Sequence, residues 1–523
     1  LTGSEEMEAG IIEDPKQVPL LSGEPEPCEQ SETLHDAGWR AAERPPEINS
    51  SLLSVVQMVN TMLGSGVLAF PYVFAETGLV LGFALVGLFG SMSYFTNCMN
   101  LEAGAAVGTP AGDMSEILQK ALRSKRWRRV VDACVAIQAF GSLLSYNNVM
   151  GNLGAAIFAS TRPPDVAVNT YPGVIVVCTL LLSPFCYLRT YGELATVSLV
   201  SYALIFTTTI SIFLKGFVFD EHIYALPWRP KSVVRAVTVL GNFAFSTSNQ
   251  FAVHEMYASM RPSERPSISR VLIVQATVVC ATLGVMAVGG LAAIGANEIS
   301  ANVLDGLKAA SPLARTLSVF TVVHLMCYIP NDFIIMRLFA CRLVDVNPLQ
   351  IPPKKYFCLT TALVAVPALT MAVIPRDDVV GVFELVIALT GEIPVVICAF
   401  LAPCLAFKAA VLDGDDKTKM TAARDDEDRL GDDRLSLGTT PSASLGLTAT
   451  ATTTMTTGGA SSINNPLLVP HGSGGATPSE DPAGGDGDTV TKNGAKTTSL
   501  FPILRRHPCI TYFYIGVSLV VLV

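Results

Sequence analysis

Charge is scarce in this chain. Asp, Glu, Lys and Arg make up 15% of its 523 residues, whereas 50% are hydrophobic. A soluble domain carries about a quarter charged residues, so that class is excluded. Chemical motifs are missing as well. The 12 cysteines form no CxxC pair and no Cys/His ligand spacing, which argues against a disulfide frame or a zinc site. All but Cys28 fall inside or at the edge of apolar segments, where they read as small packing residues. There is no Walker loop, no GxSxG, no HExxH and no pair of metal-binding carboxylates on one helix face. Primary active transport and membrane-embedded hydrolysis therefore lack support, and the chain does not read as an enzyme. Residues 1–50 are polar, acidic and rich in Pro and Glu, and the first apolar run is too long to be a signal peptide. The chain starts at Leu1 rather than Met, as a fragment would. Its net charge of −9 lies mostly in two polar segments and points to no nucleic-acid partner.

What the chain has in abundance is apolar runs long enough to cross a hydrocarbon core of about 30 Å. They fall near 52–74, 79–103, 130–159, 171–188, 193–217, 235–258, 268–295, 312–341, 356–375, 379–407 and 508–523, which predicts an all-α membrane protein of about eleven helices. Lys and Arg gather on loops of one parity: Lys120 to Arg129, Arg189, Arg261 to Arg270, Arg342 with Lys354 and Lys355, and Arg505 with Arg506. The other parity is acidic, with Asp220, Glu221, Glu298, Asp305, Asp377 and Asp378. The positive-inside rule then places the N-terminus in the cytosol. The sequon at Asn49 would be cytosolic and unused. Residues 1–50 read as a disordered tail and 51–407 as the transmembrane core. Residues 408–507 form a linker whose acidic and Thr/Ser/Gly-rich stretches lack the apolar content needed to order. Cytosolic regulators could act at residues 1–50 and 408–500, or 408–500 is an inert linker. Residues 508–523 form the eleventh helix.

Two of the runs are interrupted in mid-span. The first contains Asn60-Thr-Met-Leu-Gly64-Ser65-Gly66-Val67, and the second Phe243-Ala-Phe245-Ser246-Thr247-Ser248-Asn249-Gln250. Irregular backbone survives at that depth only where it faces protein or a water-filled cavity. The interruptions open helices one to five and six to ten. Five is odd, so the second copy enters from the opposite side, which predicts a five-plus-five inverted repeat with a midplane site. Gly64 and Gly66 permit an unwound backbone whose amides, at the start of a half-helix, suit a carboxylate. The competing reading is helix packing through small residues. Asn60 lies one turn before Gly64; its amide could ligate Na⁺ or bond a neighbouring helix. Ionisable residues within spans are His254, Glu255, His324, Asp332, Glu384 and Glu392, each a functional candidate because buried charge is expensive in lipid. His254, Glu255 and Glu384 sit near predicted helix ends, where solvation explains them. His324 and Glu392 lie deeper and are the candidates for proton coupling. Pro330 and Pro394 are expected to kink their helices.

These features resemble the amino acid/auxin permease family, which includes sodium-coupled neutral and vacuolar amino acid transporters. The resemblance is carried by Asn60-x-x-x-Gly64-Ser65-Gly66-x-Leu68-x-x-Pro71-Tyr72 with Thr77-Gly78, and by Gly141 to Tyr146. It continues through Pro184-x-x-x-x-Arg189-x-x-x-x-Leu194-x-x-x-Ser198, Phe243-Ala-Phe245, Leu389-Thr390-Gly391 and Pro403-x-x-x-Phe407-Lys408. It implies an eleven-helix LeuT/APC-like architecture. It also implies that backbone at Gly64 to Val67, next to Thr61, receives the amino acid carboxylate. Phe245, Ser246, Thr247 and Ser248 would take the amino group and shape the side-chain pocket. Sodium-coupled members pair the helix-one Asn with a Thr just before the helix-eight proline. This chain reads Cys327-Tyr328-Ile329-Pro330 there, with no hydroxyl where the threonine is expected. Glu392-Ile393-Pro394 also replaces the small residues usual after Thr-Gly. Both departures put sodium coupling in doubt and leave proton coupling or facilitated exchange open, with H⁺ favoured over Na⁺.

The expectation is a secondary active amino acid symporter working by alternating access, with no cofactor beyond the coupling ion, H⁺ or Na⁺. Its membrane would be the plasma membrane or a vacuole- or lysosome-like organelle. The rival is an amino-acid-sensing receptor with little net transport.

Overall fold

The computed structural model describes residues 47–110, 112–159, 169–219, 226–307, 311–348, 350–374, 393–414, 501, 504–505 and 507–522. Contacts divide the chain into two units, residues 1–414 with 499–523, and residues 415–498. Every described residue belongs to the first unit.

The described residues of that unit are nearly all helix. In order come α1 (Ser51–Met62), α2 (Phe70–Ala106), α3 (Met114–Leu122), α4 (Lys125–Ala159), α5 (Tyr171–Cys186) and α6 (Ala195–Leu214). Then follow α7 (Val233–Thr238), α8 (Leu240–Ser246), α9 (Val253–Ser259), α10 (Ile268–Ile294), α11 (Val303–Gly306), α12 (Pro312–Leu343) and α13 (Pro353–Val373). Last are α14 (Ile393–Leu412), which mixes α- and π-helical turns, and α15 (Cys509–Leu522). Among the described residues, seven helices are long and apolar enough to cross a membrane, and Ser51–Met62, Tyr171–Cys186, Val233–Ser246 and Cys509–Ser518 are shorter apolar helices.

The differences from the predicted spans have physical reasons. The expected boundary between 52–74 and 79–103 falls at Gly78, whose φ 72° and ψ 163° are non-helical and kink α2, so that Leu79 N–H leaves the ladder and donates to Pro227 C=O at 2.8 Å. Only glycine adopts that angle without strain. The amphipathic α3 was not predicted; its apolar face (Met114, Ile117, Leu118) is buried while Lys120 and Glu116 pair on the outside. The expected helix 235–258 is three short pieces. α14 continues past Phe407 to Leu412, and Lys408 pairs there with Asp413 at 3.2 Å. Its predicted first half, with Glu384 and Glu392, lies outside the described residues, as does most of the 408–507 linker. α12 runs through Pro330 without interruption.

α12 packs along α4 and α6, and α2 along α10. In lipid there is no hydrophobic drive between helices, so association rests on close van der Waals packing. Phe243 of α8 supplies much of it at the centre. Its ring meets Phe70 edge-on at 5.5 Å and stacks on Phe89 at 6.2 Å, and Phe89 meets Phe400 of α14 at 6.1 Å. This cluster seats the start of the second broken helix against the first.

Candidate functional site

α1 is 12 residues long, about 18 Å at 1.5 Å per residue, so it ends inside the hydrocarbon thickness. The chain then departs from the helix at Leu63 (ψ 50°) and Gly64 (ψ −152°) before the 3₁₀ turn Ser65–Ala69 leads into α2. The Val67 N–H closes onto Gly64 C=O at 3.4 Å. Ser65 and Gly66 amides head the new turn, positions for which a helix supplies no acceptor of its own.

The second break is Thr247–Ala252, between α8 and α9. A polar stripe on α2, fully buried, satisfies it. Asn97 Nδ2 donates to Asn249 Oδ1 at 2.8 Å, Asn100 Nδ2 to Gln250 C=O at 3.1 Å, and Gln250 Nε2 to Thr96 Oγ1 at 2.9 Å. Thr96, Asn97 and Asn100 occupy one face of this mostly apolar helix. They are the reason six residues can remain unwound inside a span.

The two breaks touch. A Cβ on Gly66 would lie 2.5 Å from Ser246 Oγ and 3.6 Å from Phe245 Cδ1. Ser246 is 1% exposed and its hydroxyl has no partner. Among the remaining expected site residues, Thr247 Oγ1 donates to Phe243 C=O at 2.8 Å, and Ser248 Oγ to Phe245 C=O at 2.9 Å. Ser248 Oγ also receives Gln138 Nε2 of α4 at 3.5 Å. Ser65 Oγ faces Ser145 Oγ at 3.4 Å, and Val67 is buried. Thr61 is next to the break, but its hydroxyl is engaged by Gln57 C=O and by the Tyr191 hydroxyl.

The candidate coupling residues fare differently. Asn60 is fully buried and neither side-chain atom has a partner. His324 Nδ1 sits against the Ser201 hydroxyl at 2.9 Å and the Ser201 C=O at 3.0 Å, on the side of α12 that meets α6. Glu392 is outside the described residues. Solvation does not explain His254, which is 2% exposed with Nδ1 3.4 Å from Pro110 C=O. Its helix end is folded against α2 rather than open to water. Glu255, beside it, is half-buried.

Three phenols that the sequence reading passed over surround the first break. Tyr328 Oη donates to Thr61 C=O at 2.6 Å. A hydroxyl thus reaches helix one from the residue before Ile329, although none occurs at the expected threonine position. Tyr146 of α4 lies edge-on to Tyr328 with centroids 5.0 Å apart. A Cβ on Gly64 would be 2.9 Å from Tyr146 Oη and 3.0 Å from Tyr328 Cζ. Tyr146 Oη donates in turn to Asp332 Oδ2 at 3.0 Å. The third phenol, Tyr191, holds Thr61, while Gln57 Nε2 donates to its backbone C=O at 2.6 Å. Asp332 is an ionisable span residue in the sequence, and Tyr146 closes a matched motif, so both signals were present. What joins them is tertiary.

Two sets of contacts flank the breaks among the described residues. On one side the start of α1 is stitched to the end of α9. Asn49 N–H donates to Ser259 C=O at 3.0 Å, Arg261 N–H to Asn49 C=O at 3.1 Å, and Arg265 pairs with Glu47 at 2.9 Å. On the other, buried Glu76 of α2 pairs with Lys231 at 3.1 Å and with Arg235 of α7 at 3.5 Å.

The family model described as Transmembrane amino acid transporter protein matches residues 49–418. The chain is 28% identical over 151 residues to Vacuolar amino acid transporter 5 of Schizosaccharomyces pombe, covering 28% of this chain and 35% of that one. It thus spans about a third of that relative's length. It is 19% identical over 382 residues, 71% of this chain and 80% of the other, to a Danio rerio protein whose name proposes a sodium-coupled neutral amino acid transporter. Among solved structures, MhsT in complex with L-phenylalanine is similar at TM-score 0.47 and 12% identity, over 70% of this chain and 96% of that one.

Proposed function

We propose that this chain, which belongs to the transmembrane amino acid transporter family, moves amino acids across a membrane by alternating access around its two helix breaks. The observation that carries the reading is the contact of Gly66 with Ser246, which brings both interrupted helices to one point inside the bundle. Amides of Gly64 to Val67 suit a carboxylate. Phe245 to Ser248 offer a ring, hydroxyls and helix-end carbonyls for an ammonium and a side chain. The breaks touch, so a substrate enters only when they separate. The α1–α9 seam and the Glu76 ion pairs are natural candidates for the two gates. Opening one while the other holds is alternating access.

The coupling ion in this reading is H⁺. Tyr328 Oη already occupies Thr61 C=O, an oxygen that a dehydrated Na⁺ would otherwise use among the several it needs. The N-terminus lies in the cytosol by the charge of the loops, and the vacuolar naming of the S. pombe relative favours a vacuole-like membrane over the plasma membrane. Uptake into proteoliposomes tests the whole reading, using a panel of radiolabelled amino acids with and without Na⁺ and pH gradients. Accumulation of an amino acid against its gradient, driven by pH, is the expected result. Saturable binding without accumulation would instead favour a receptor.

A further inference from the structure

We infer that Asp332 of α12 is the group that takes up and releases the coupling proton, and that Tyr146 passes its protonation state to the helix-one break. The inference rests on the transporter reading and names the residue that reading leaves open.

Asp332 lies inside a span and is 5% exposed. Its Oδ2 accepts from Tyr146 Oη at 3.0 Å, and its Oδ1 has no hydrogen-bond partner. Among the described residues no basic side chain pairs with it. Arg337, on the same helix, is committed elsewhere, donating to Cys186 C=O and Leu188 C=O at 2.7 Å each. His324, two turns earlier, is tied to Ser201. The other titratable groups around it are the phenols of Tyr146, Tyr328 and Tyr191, and Tyr191 is also within electrostatic reach of Glu255. A negative charge in such a place has neither water nor counter-charge to offset its desolvation. The neutral acid needs neither.

Protonation changes the grip on Tyr146. A carboxylate accepts a charge-assisted hydrogen bond about twice as strong as one to a neutral acceptor. Ionised Asp332 therefore pins Tyr146 beside Gly64, where its hydroxyl lies 2.9 Å from the Cβ position of that glycine. Protonated Asp332 slackens the hold and lets the break move. The proton comes from the water on whichever face is open and returns to water on the other. No bond other than O–H is made or broken.

The test uses the full chain in proteoliposomes holding a trapped pH dye, with an amino acid of the uptake panel added outside. Proton flux and amino acid exchange are read together. Wild type should acidify the lumen as substrate enters. Asp332→Asn should lower substrate-driven proton flux by about tenfold or more and leave exchange insensitive to pH. Tyr146→Phe should weaken the coupling, lowering substrate-driven proton flux several-fold, and move the half-maximal pH of the remaining flux upward by about one unit, since one hydrogen bond to the carboxylate is lost. Glu392→Gln should keep substrate-driven flux. Proton flux that survives Asp332→Asn, or that vanishes in Glu392→Gln alone, overturns the inference. If Asp332→Asn does not fold, a Tyr146→Phe profile identical to wild type overturns it as well. Wild type that exchanges amino acids without moving protons sinks this inference and leaves the transporter reading standing. Wild type that exchanges none of the panel takes down both.

Discussion

Replacing Gly66 with valine tests the contact on which the site is built. The added Cβ would sit 2.5 Å from Ser246 Oγ, closer than carbon and oxygen can approach. The serine hydroxyl has no partner to hold it, so a single methyl could be met by turning its χ1, at about 0.5–1.5 kcal/mol. Valine adds two more carbons. Phe245 Cδ1 stands only 3.6 Å from the new Cβ, and overpacking a filled site costs about 1–3 kcal/mol more. The total of about 1.5–4.5 kcal/mol falls on the approach of the two breaks, and each ~1.4 kcal/mol on a barrier is tenfold in rate. Uptake should therefore drop by more than about tenfold in Gly66→Val, and by less in Gly66→Ala. Adding Ser246→Gly to Gly66→Ala removes the clashing atom and should restore about 0.5–1.5 kcal/mol of the loss, a coupling that unrelated sites would not show. Membrane-inserted protein is quantified in parallel so that transport is compared per molecule. Near-normal uptake by Gly66→Val, at normal abundance, refutes the placement of the site.

By the proposed orientation, loop charge predicts that Lys120 to Arg129 and the 408–500 linker face the cytosol. In plasma-membrane expression, an epitope near Gly474 should be reached by antibody only after permeabilisation, and labelling of intact cells would reverse the orientation. Deleting residues 430–490 changes loop-closure entropy by under roughly 2 kcal/mol, so substrate affinity should stay within about threefold; a larger loss would place the linker on the transport core. Lys231→Ala leaves buried Glu76 with Arg235 alone at 3.5 Å, and should destabilise the protein by about 1–3 kcal/mol, read as an earlier thermal midpoint. An unchanged midpoint would remove the ion pair from the structural account.

The helix breaks were legible in the sequence because they violate the hydropathy of their own spans. Gly64-Ser65-Gly66 and Phe245 to Asn249 are out of place in lipid unless they face something polar. What they face was not legible. Thr96, Asn97 and Asn100 are three polar residues scattered in the apolar helix α2, and they matter only because that helix passes the second break. Tyr328 shows the same limit: the sequence reading looked for a hydroxyl immediately before Pro330, whereas a long phenol one residue earlier reaches Thr61. His254 reads as a helix-end residue by position, yet α2 covers that end. Local pattern gives the irregular backbone; the side chains that complete it come from helices far away in the chain.

The partners of the first break say how it can move. Gly66 touches Ser246 of the other broken helix, but Thr61 and Gly64 are held by Tyr328 of α12, Tyr146 of α4 and Tyr191 ahead of α6. The second break is held instead by α2, which follows directly on the first. The two breaks and α2 can therefore shift together without disturbing the amide network of Asn97 and Gln250. Any tilt of α1 away from α4 and α12, by contrast, must part all three phenol contacts. Those contacts are what oppose the motion, and Asp332 lies behind them, one hydrogen bond from Tyr146. A proton that loosens Tyr146 acts where the moving and standing helices meet, which is the position from which one small charge can bias a whole rearrangement.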